Sequence, residues 1–196
     1  MKNLSAKMGK TGSDKIFVIS APSGTGKTTI AKKLKEHLKE IEVIITYTTR
    51  KPRPEEKDGC DYRFVQEDEF KKMVENGEFA EWATVYGNYY GTPKKDIISV
   101  VNKGKKALLI IDTQGGRSIK EVFPGAILIG ILPPSIKEQE RRMRERSGLS
   151  EEEIQKRLEA ARKERKVILS EYDYRFINKN LENTIKKITG LIKSIH

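Results

Sequence analysis

The stretch from Ile16 to Ile30, Ile-Phe-Val-Ile-Ser-Ala-Pro-Ser-Gly-Thr-Gly-Lys-Thr-Thr-Ile, constrains the fold more than any other part of the chain. Ile16 to Ile19 are consecutive apolar residues, the pattern of a strand buried on both faces. A turn rich in Gly, Ser and Pro follows, and Thr28, Ile30, Leu34, Leu38 and Ile41 then mark the apolar face of a helix. Strand, glycine loop and helix in this order are the setting of a phosphate-binding P-loop. Gly24 and Gly26 let the backbone turn its N–H groups inward, Ser23, Thr25 and Thr29 complete the cradle, and the helix N-terminus adds the positive end of its dipole. Lys27 is expected on the β- and γ-phosphates and the Thr28 hydroxyl on Mg²⁺. Ala21 stands where the strict motif has its first glycine. The segment reads as a nucleotide site.

A chain of 196 residues can bury one good core, with room for a small inserted domain. It has no apolar run long enough to span a membrane. Residues 1–14 are polar and read as a flexible tail rather than a signal peptide. Cys60 is the only cysteine, which excludes an intrachain disulfide and suits a reducing cytoplasm. The formal net charge of +11 would suit a polyanion, but no DNA- or RNA-binding module is recognisable, and no nucleic-acid partner is expected. The oligomeric state is left open.

Strand and helix patterns alternate along the rest of the chain. Glu42 to Thr46 reads as a second strand. Residues 47–91 change character, with the only tryptophan, most of the tyrosines and short β-like runs around a helix from about Glu67 to Asn76. Thr92 and Pro93 are expected as N-cap and first residue of a helix that Gly104 ends. Lys106 to Asp112 and Ala126 to Leu132 read as buried strands. Ser135 opens a basic helix, and Ser150 with Glu153 forms a capping box for a long helix to about Glu171. A last strand, Tyr174 to Asn178, precedes a final amphipathic helix. The expectation is an α/β fold with a parallel sheet flanked by helices. The core would comprise residues 15–46 and 92–196, with a helical lid at about 135–157 and a β-rich insertion at 47–91.

The insertion carries a second site. Thr48-Thr-Arg50-Lys-Pro-Arg53-Pro, Asp58-Gly-Cys-Asp-Tyr62, Glu81-Trp-Ala and Gly87-Asn-Tyr-Tyr90-Gly-Thr92 offer two arginines and two tyrosines, a set suited to one phosphate. Glu81 needs a partner with two adjacent N–H donors, which guanine provides and adenine does not.

From Ala21 to about Asn178 the chain resembles guanylate kinase, the family that phosphorylates GMP with ATP. The resemblance implies a P-loop kinase core, ATP-dependent phosphorylation of GMP and of dGMP to the diphosphates, and Mg²⁺ as cofactor. It places Arg50, Arg53, Tyr62 and Tyr90 on the GMP phosphate, and Glu81, Thr92 and Thr46 on the guanine. Arg142, Arg146 and Arg157 match the lid arginines, and Asn178 falls near the ATP base. Asp112 matches the second acid of an Asp-x-Asp pair and joins the acceptor site, while Ile110 replaces the first acid. If the strand runs through Asp112, the two side chains share a face, and Ile110 cannot hold the water shell of Mg²⁺. The competing reading is a catalytically reduced guanylate-kinase-like binding module, against which Lys27 and Thr28 stand intact. Trp82 and Tyr89 are expected to be packing residues.

Overall fold

The structure, a computed structural model, describes residues 10–22, 25–85, 87–145 and 150–195. Among these, five parallel strands form the main sheet: β1 (Ile16–Ser20), β2 (Ile41–Val43), β7 (Lys106–Ile110), β8 (Ile127–Leu132) and β9 (Tyr174–Ile177), in the order β2-β7-β1-β8-β9. β1 is central, and all five of its residues are buried. Alternation sends Ile16 and Val18 to one face and Phe17 and Ile19 to the other. Removing each of these side chains from water is worth about 1.5–3 kcal/mol.

Each face feeds its own apolar cluster. On one side α2 (Lys27–His37) and α8 (Leu181–Ser194) cover Phe17, Ile19, Leu108 and Ile129 with Ile30, Leu34, Ile185 and Ile188. On the other, α4 (Lys94–Asn102), α5 (Thr113–Val122) and the C-terminal part of α7 (Glu151–Glu171) meet Val18, Leu109 and Leu128 through Ile97, Ile119 and Ile168. α6 (Ile136–Glu145) pairs with the first half of α7 around a separate small cluster of Met143, Ile154, Leu158 and Ala161. The expected capping box at Ser150 and Glu153 is present, and α7 ends at Glu171 as anticipated.

The second sheet has the order β4-β3-β6-β5, built from β3 (Tyr47–Thr48), β4 (Arg63–Phe64), β5 (Phe79–Val85) and β6 (Asn88–Pro93). α3 (Glu67–Glu75) covers its far face, where Phe70 stacks on Phe79 at 4.6 Å and on Tyr89 at 5.4 Å between centroids. An Arg63–Asp96 ion pair of 2.8 Å ties this sheet to α4 of the main body.

Several boundaries differ from the sequence reading. The helix after the glycine loop stops at His37, and Ile41 opens β2, which ends at Val43 rather than Thr46. Thr92 and Pro93 close β6, and Pro93 is the N-cap of α4 rather than its first residue, because the ladder to β5 runs on through Pro93 opposite Phe79. β7 ends at Ile110, so strand alternation does not extend to Asp112. The end of the expected tail is not loose: Lys10–Ser13 forms α1, and Ser13 is buried beside Gly125. Trp82 packs one side of its ring on Tyr89, 6.0 Å between centroids, and is otherwise 47% exposed.

Candidate active site

The first cluster of candidate residues lies at the C-terminal end of β1. Gly26 is the N-cap of α2 with φ 95°, a conformation only glycine adopts without strain. Among the described residues no side chain caps this helix, and its first turn contains no acid. Its leading N–H groups are therefore available to an anion, reinforced by the dipole. Lys27 begins the helix and is half-buried. Ser23, Gly24 and the Thr28 side chain lie outside the described residues and side chains.

A cleft of about 310 Å³ opens beside this terminus, lined by Thr25, Gly26, Thr29, Arg142 and Asn178 among others. Arg142 thus lines the same cleft as the loop, with Nε donating to Glu138 at 2.8 Å. Arg141 and Arg144, its neighbours on α6, are engaged with glutamates at the exposed surface. Arg146 lies outside the described residues. Arg157 sits half-buried on α7, near Glu153. Asn178 is in the cleft as expected, but its amide is committed: it donates to the Thr25 carbonyl at 3.2 Å and accepts from Thr184 Oγ1 at 3.2 Å. These two bonds tie Asn178 to the back of the loop and use one of its two N–H groups and one of its two lone pairs.

The second cluster occupies the near face of the second sheet. Alternation along β6 puts Tyr90 and Thr92 on the face opposite Tyr89, about 7 Å apart. Glu81 on β5 pairs directly with Thr92, so all three share that face. At one end, Arg50 Nε donates to Tyr90 Oη at 3.2 Å, and the guanidinium lies over the Tyr62 ring at 5.3 Å. Tyr62 packs edge-on to Tyr90 at 6.0 Å. Arg53 projects to solvent, 64% exposed.

At the other end, Glu81 is 7% exposed and accepts a hydrogen bond from Thr92 Oγ1. Burial pushes its carboxyl up to about 7; the Thr92 bond opposes this, and the nearby Asp112 charge adds to it. Asp112 is the N-cap of α5, its Oδ1 accepting from Gly115 N–H at 2.8 Å. Gly115 itself lies against Glu81, where a Cβ would come within 2.8 Å of Oε2. Thr46 is buried at the crossing between the sheets, its carbonyl accepting from Arg63 N–H at 2.9 Å. Ile110 packs toward α2 and α8, with the cluster of Phe17 and Ile19.

Two contributors escaped the sequence reading. Glu56 bridges Arg50 and the Arg53 backbone, at 2.8 Å and 2.9 Å. Its spacing of three from Arg53 in a Pro-rich turn was the one available signal. Tyr172, at the end of α7, donates to Ser20 Oγ at 2.6 Å, and Ser20 in turn donates to the Asp112 carbonyl at 3.1 Å. Nothing local in the sequence announces that bond, which links residues 152 apart.

Residues 13–195 match the family model described as guanylate kinase. Guanylate kinase of Caldanaerobacter subterraneus subsp. tengcongensis is 45% identical over 177 residues, covering 90% of this chain and 85% of that one. That of Clostridioides difficile is 43% identical over 179 residues, covering 91% and 87%. The crystal structure of guanylate kinase from Anaplasma phagocytophilum superposes with a TM-score of 0.76 at 36% identity, covering 91% of this chain and 84% of that one. Coverage of residues 13–195, from β1 through α8, together with these identities means that the chain belongs to the guanylate kinase family.

Proposed function

We propose that the protein transfers the γ-phosphoryl group of ATP to GMP, giving ADP and GDP, with dGMP as a further acceptor. The observation that carries the acceptor assignment is the near face of the second sheet. A buried carboxylate, Glu81 of β5, stands at one end beside Thr92, and the Arg50–Tyr90–Tyr62 group stands one alternation step from Thr92 along β6. A guanine can offer N1–H and its amine to Glu81, steadied by Thr92 and flanked by Thr46 and Asp112, while Arg50, Arg53, Tyr62 and Tyr90 take the phosphate. On this reading residues 47–91 are the GMP-binding insertion.

ATP is assigned to the α2 N-terminus and the adjoining cleft, in a loop of Ser23, Gly24, Thr25, Gly26, Lys27, Thr28 and Thr29 backed by Asn178. The GMP phosphate has a second pKa of about 6 and is ionised at neutral pH, so attack on the γ-phosphorus needs no general base. The chain's task is to align two anions and neutralise the moving group. Lys27 supplies charge from the loop; Arg142, Arg146 and Arg157 supply it from a lid built on α6 and the start of α7.

Among the described residues no group of three or more His, Cys, Asp and Glu side chains could hold a metal ion. Asp112 is committed to the α5 cap, and Ile110 offers no donor. That donor set fits Mg²⁺ held mainly by nucleotide phosphates and water, with Thr28 as the protein ligand. The ion, when bound, neutralises charge on the β- and γ-phosphates. Among the described residues no helix is long and apolar enough to cross a membrane, and a lone exposed Cys60 agrees with a cytoplasmic setting.

ADP release measured with GMP, dGMP, AMP, UMP and dTMP side by side tests the assignment. Turnover is expected with the guanine nucleotides alone, and Lys27→Ala should lower it roughly a thousandfold. Turnover without an acceptor, or equal turnover with AMP, would overturn it.

A further inference from the structure

The Arg50 guanidinium is held on three sides by the chain itself. Nε donates to Tyr90 Oη at 3.2 Å, Nη1 to the Lys51 carbonyl at 2.7 Å and Nη2 to Glu56 Oε1 at 2.8 Å. A guanidinium has five N–H groups, so one remains on each terminal nitrogen, the pair that can fork onto a phosphate. Arg50 and Glu56 are both largely buried, with 18% and 12% of their side-chain surface exposed. A guanidinium removed from water this far needs a counter-charge, and Glu56 provides it.

The other Glu56 oxygen has a different duty. Oε2 accepts from the Arg53 backbone N–H at 2.9 Å, and the Glu56 N–H donates to the Arg53 carbonyl at 3.0 Å. These reciprocal bonds close the turn that carries Arg53, whose side chain stays 64% exposed with Nη1 at 3.9 Å from Oε1. One carboxylate thus fixes the direction of the first arginine and the root of the second. An anion merely occupying the phosphate seat would have to leave when substrate enters. Glu56 could not leave without opening the turn.

We propose that Glu56 is a positioning residue for the acceptor phosphate: it fixes the Arg50 fork and the Arg53 turn in binding geometry while leaving two N–H groups free. The proposal rests on the assignment of Arg50 to the GMP phosphate, and the test separates the two. Glu56→Gln has nearly the same shape but a single acceptor oxygen, so whichever way the amide turns, an NH₂ faces a donor. The KM for GMP should rise about tenfold, with the KM for ATP within twofold of the parent and kcat less affected; a tenfold change corresponds to about 1.4 kcal/mol. Glu56→Asp keeps the charge and should recover part of the loss. Arg50→Met should raise the KM for GMP further than either. Melting temperatures keep the assays where every variant is folded. A GMP KM unchanged or lowered in Glu56→Gln, while Arg50→Met raises it, overturns the proposal and leaves the phosphate site intact. If Arg50→Met has no effect on it, the phosphate assignment falls, and the proposal with it.

Discussion

Glu81→Gln should change stability in a way that depends on pH. The folded protein holds the Glu81 carboxyl at about 7 against an ordinary value of 4.5, chiefly through burial. Between those values the folded chain retains a proton that the unfolded chain has released, so stability falls as pH rises through the window. Below about 4.5 both states are protonated and the contribution vanishes; above about 8 both are ionised and the full cost is present. A shift of that size is worth about 3 kcal/mol at 1.36 kcal/mol per unit. Glutamine can accept from Thr92 and has no charge to bury, so the variant lacks this penalty. Urea unfolding of both proteins at pH 5, 6.5 and 8 measures it directly, since contributions common to both cancel. The variant should gain on the parent by about 2.5 kcal/mol from pH 5 to pH 8. A difference independent of pH would refute the reasoning. The same proton competes with GMP, which needs the ionised carboxylate. The parent's KM for GMP should therefore climb below pH 7, more steeply than in the variant, where only the GMP phosphate titrates.

The adjacent glycines of α5 should separate site from scaffold. A Cβ at Gly115 would press on Glu81 Oε2, so Gly115→Ala should reduce selectivity for GMP over AMP with little change in the KM for ATP. A Cβ at Gly116 would stand 2.5 Å from Tyr172 Oη, so Gly116→Ala should lower the urea midpoint despite the roughly 1 kcal/mol that alanine gains over glycine in a helix. A raised midpoint would mean that Tyr172 yields without cost. Ile110 pairs with Ile19, next to the end of β1. Ile110→Asp should lower the Mg²⁺ concentration for half-maximal rate; no change would show that the metal does not depend on a carboxylate there.

The glycine loop, the strand before it and the alternation of apolar strands with helices were legible in the sequence because each is a local pattern. So was the grouping of Arg50, Tyr62, Tyr90 and Glu81 in and around residues 47–91, which folding brings to one face of the second sheet. Boundaries failed where tertiary contacts outweigh propensity. Ile41 keeps the helical spacing of Leu34 and Leu38, yet pairing with Lys106 at the edge of the sheet draws it into β2. Thr92-Pro93 looks like a helix start, but the β5 ladder holds both residues extended. Asp112 reads as a strand-end acid, whereas its side chain caps a helix that Gly115 and Gly116 disguise. Tyr172 and Glu56 act through partners supplied by folding, one far off in sequence and one across a turn, so neither has a motif.

The capping box and the Tyr172–Ser20 bond sit at opposite ends of one uninterrupted helix of 21 residues. At 1.5 Å per residue that rod is about 30 Å long. Its Tyr172 end is embedded with Ile168 in the main core, while Ile154, Leu158 and Ala161 form a separate small cluster with Met143 of α6. Such a rod is a lever with its pivot beside the residue that precedes the glycine loop. A turn of about 10° at the pivot carries the Ser150 end about 6 Å and Arg157 about 4 Å, by the same rise per residue. No backbone hydrogen bond within α7 has to break for that travel, and by the same arithmetic Ile168, four residues from the pivot, shifts by only about 1 Å.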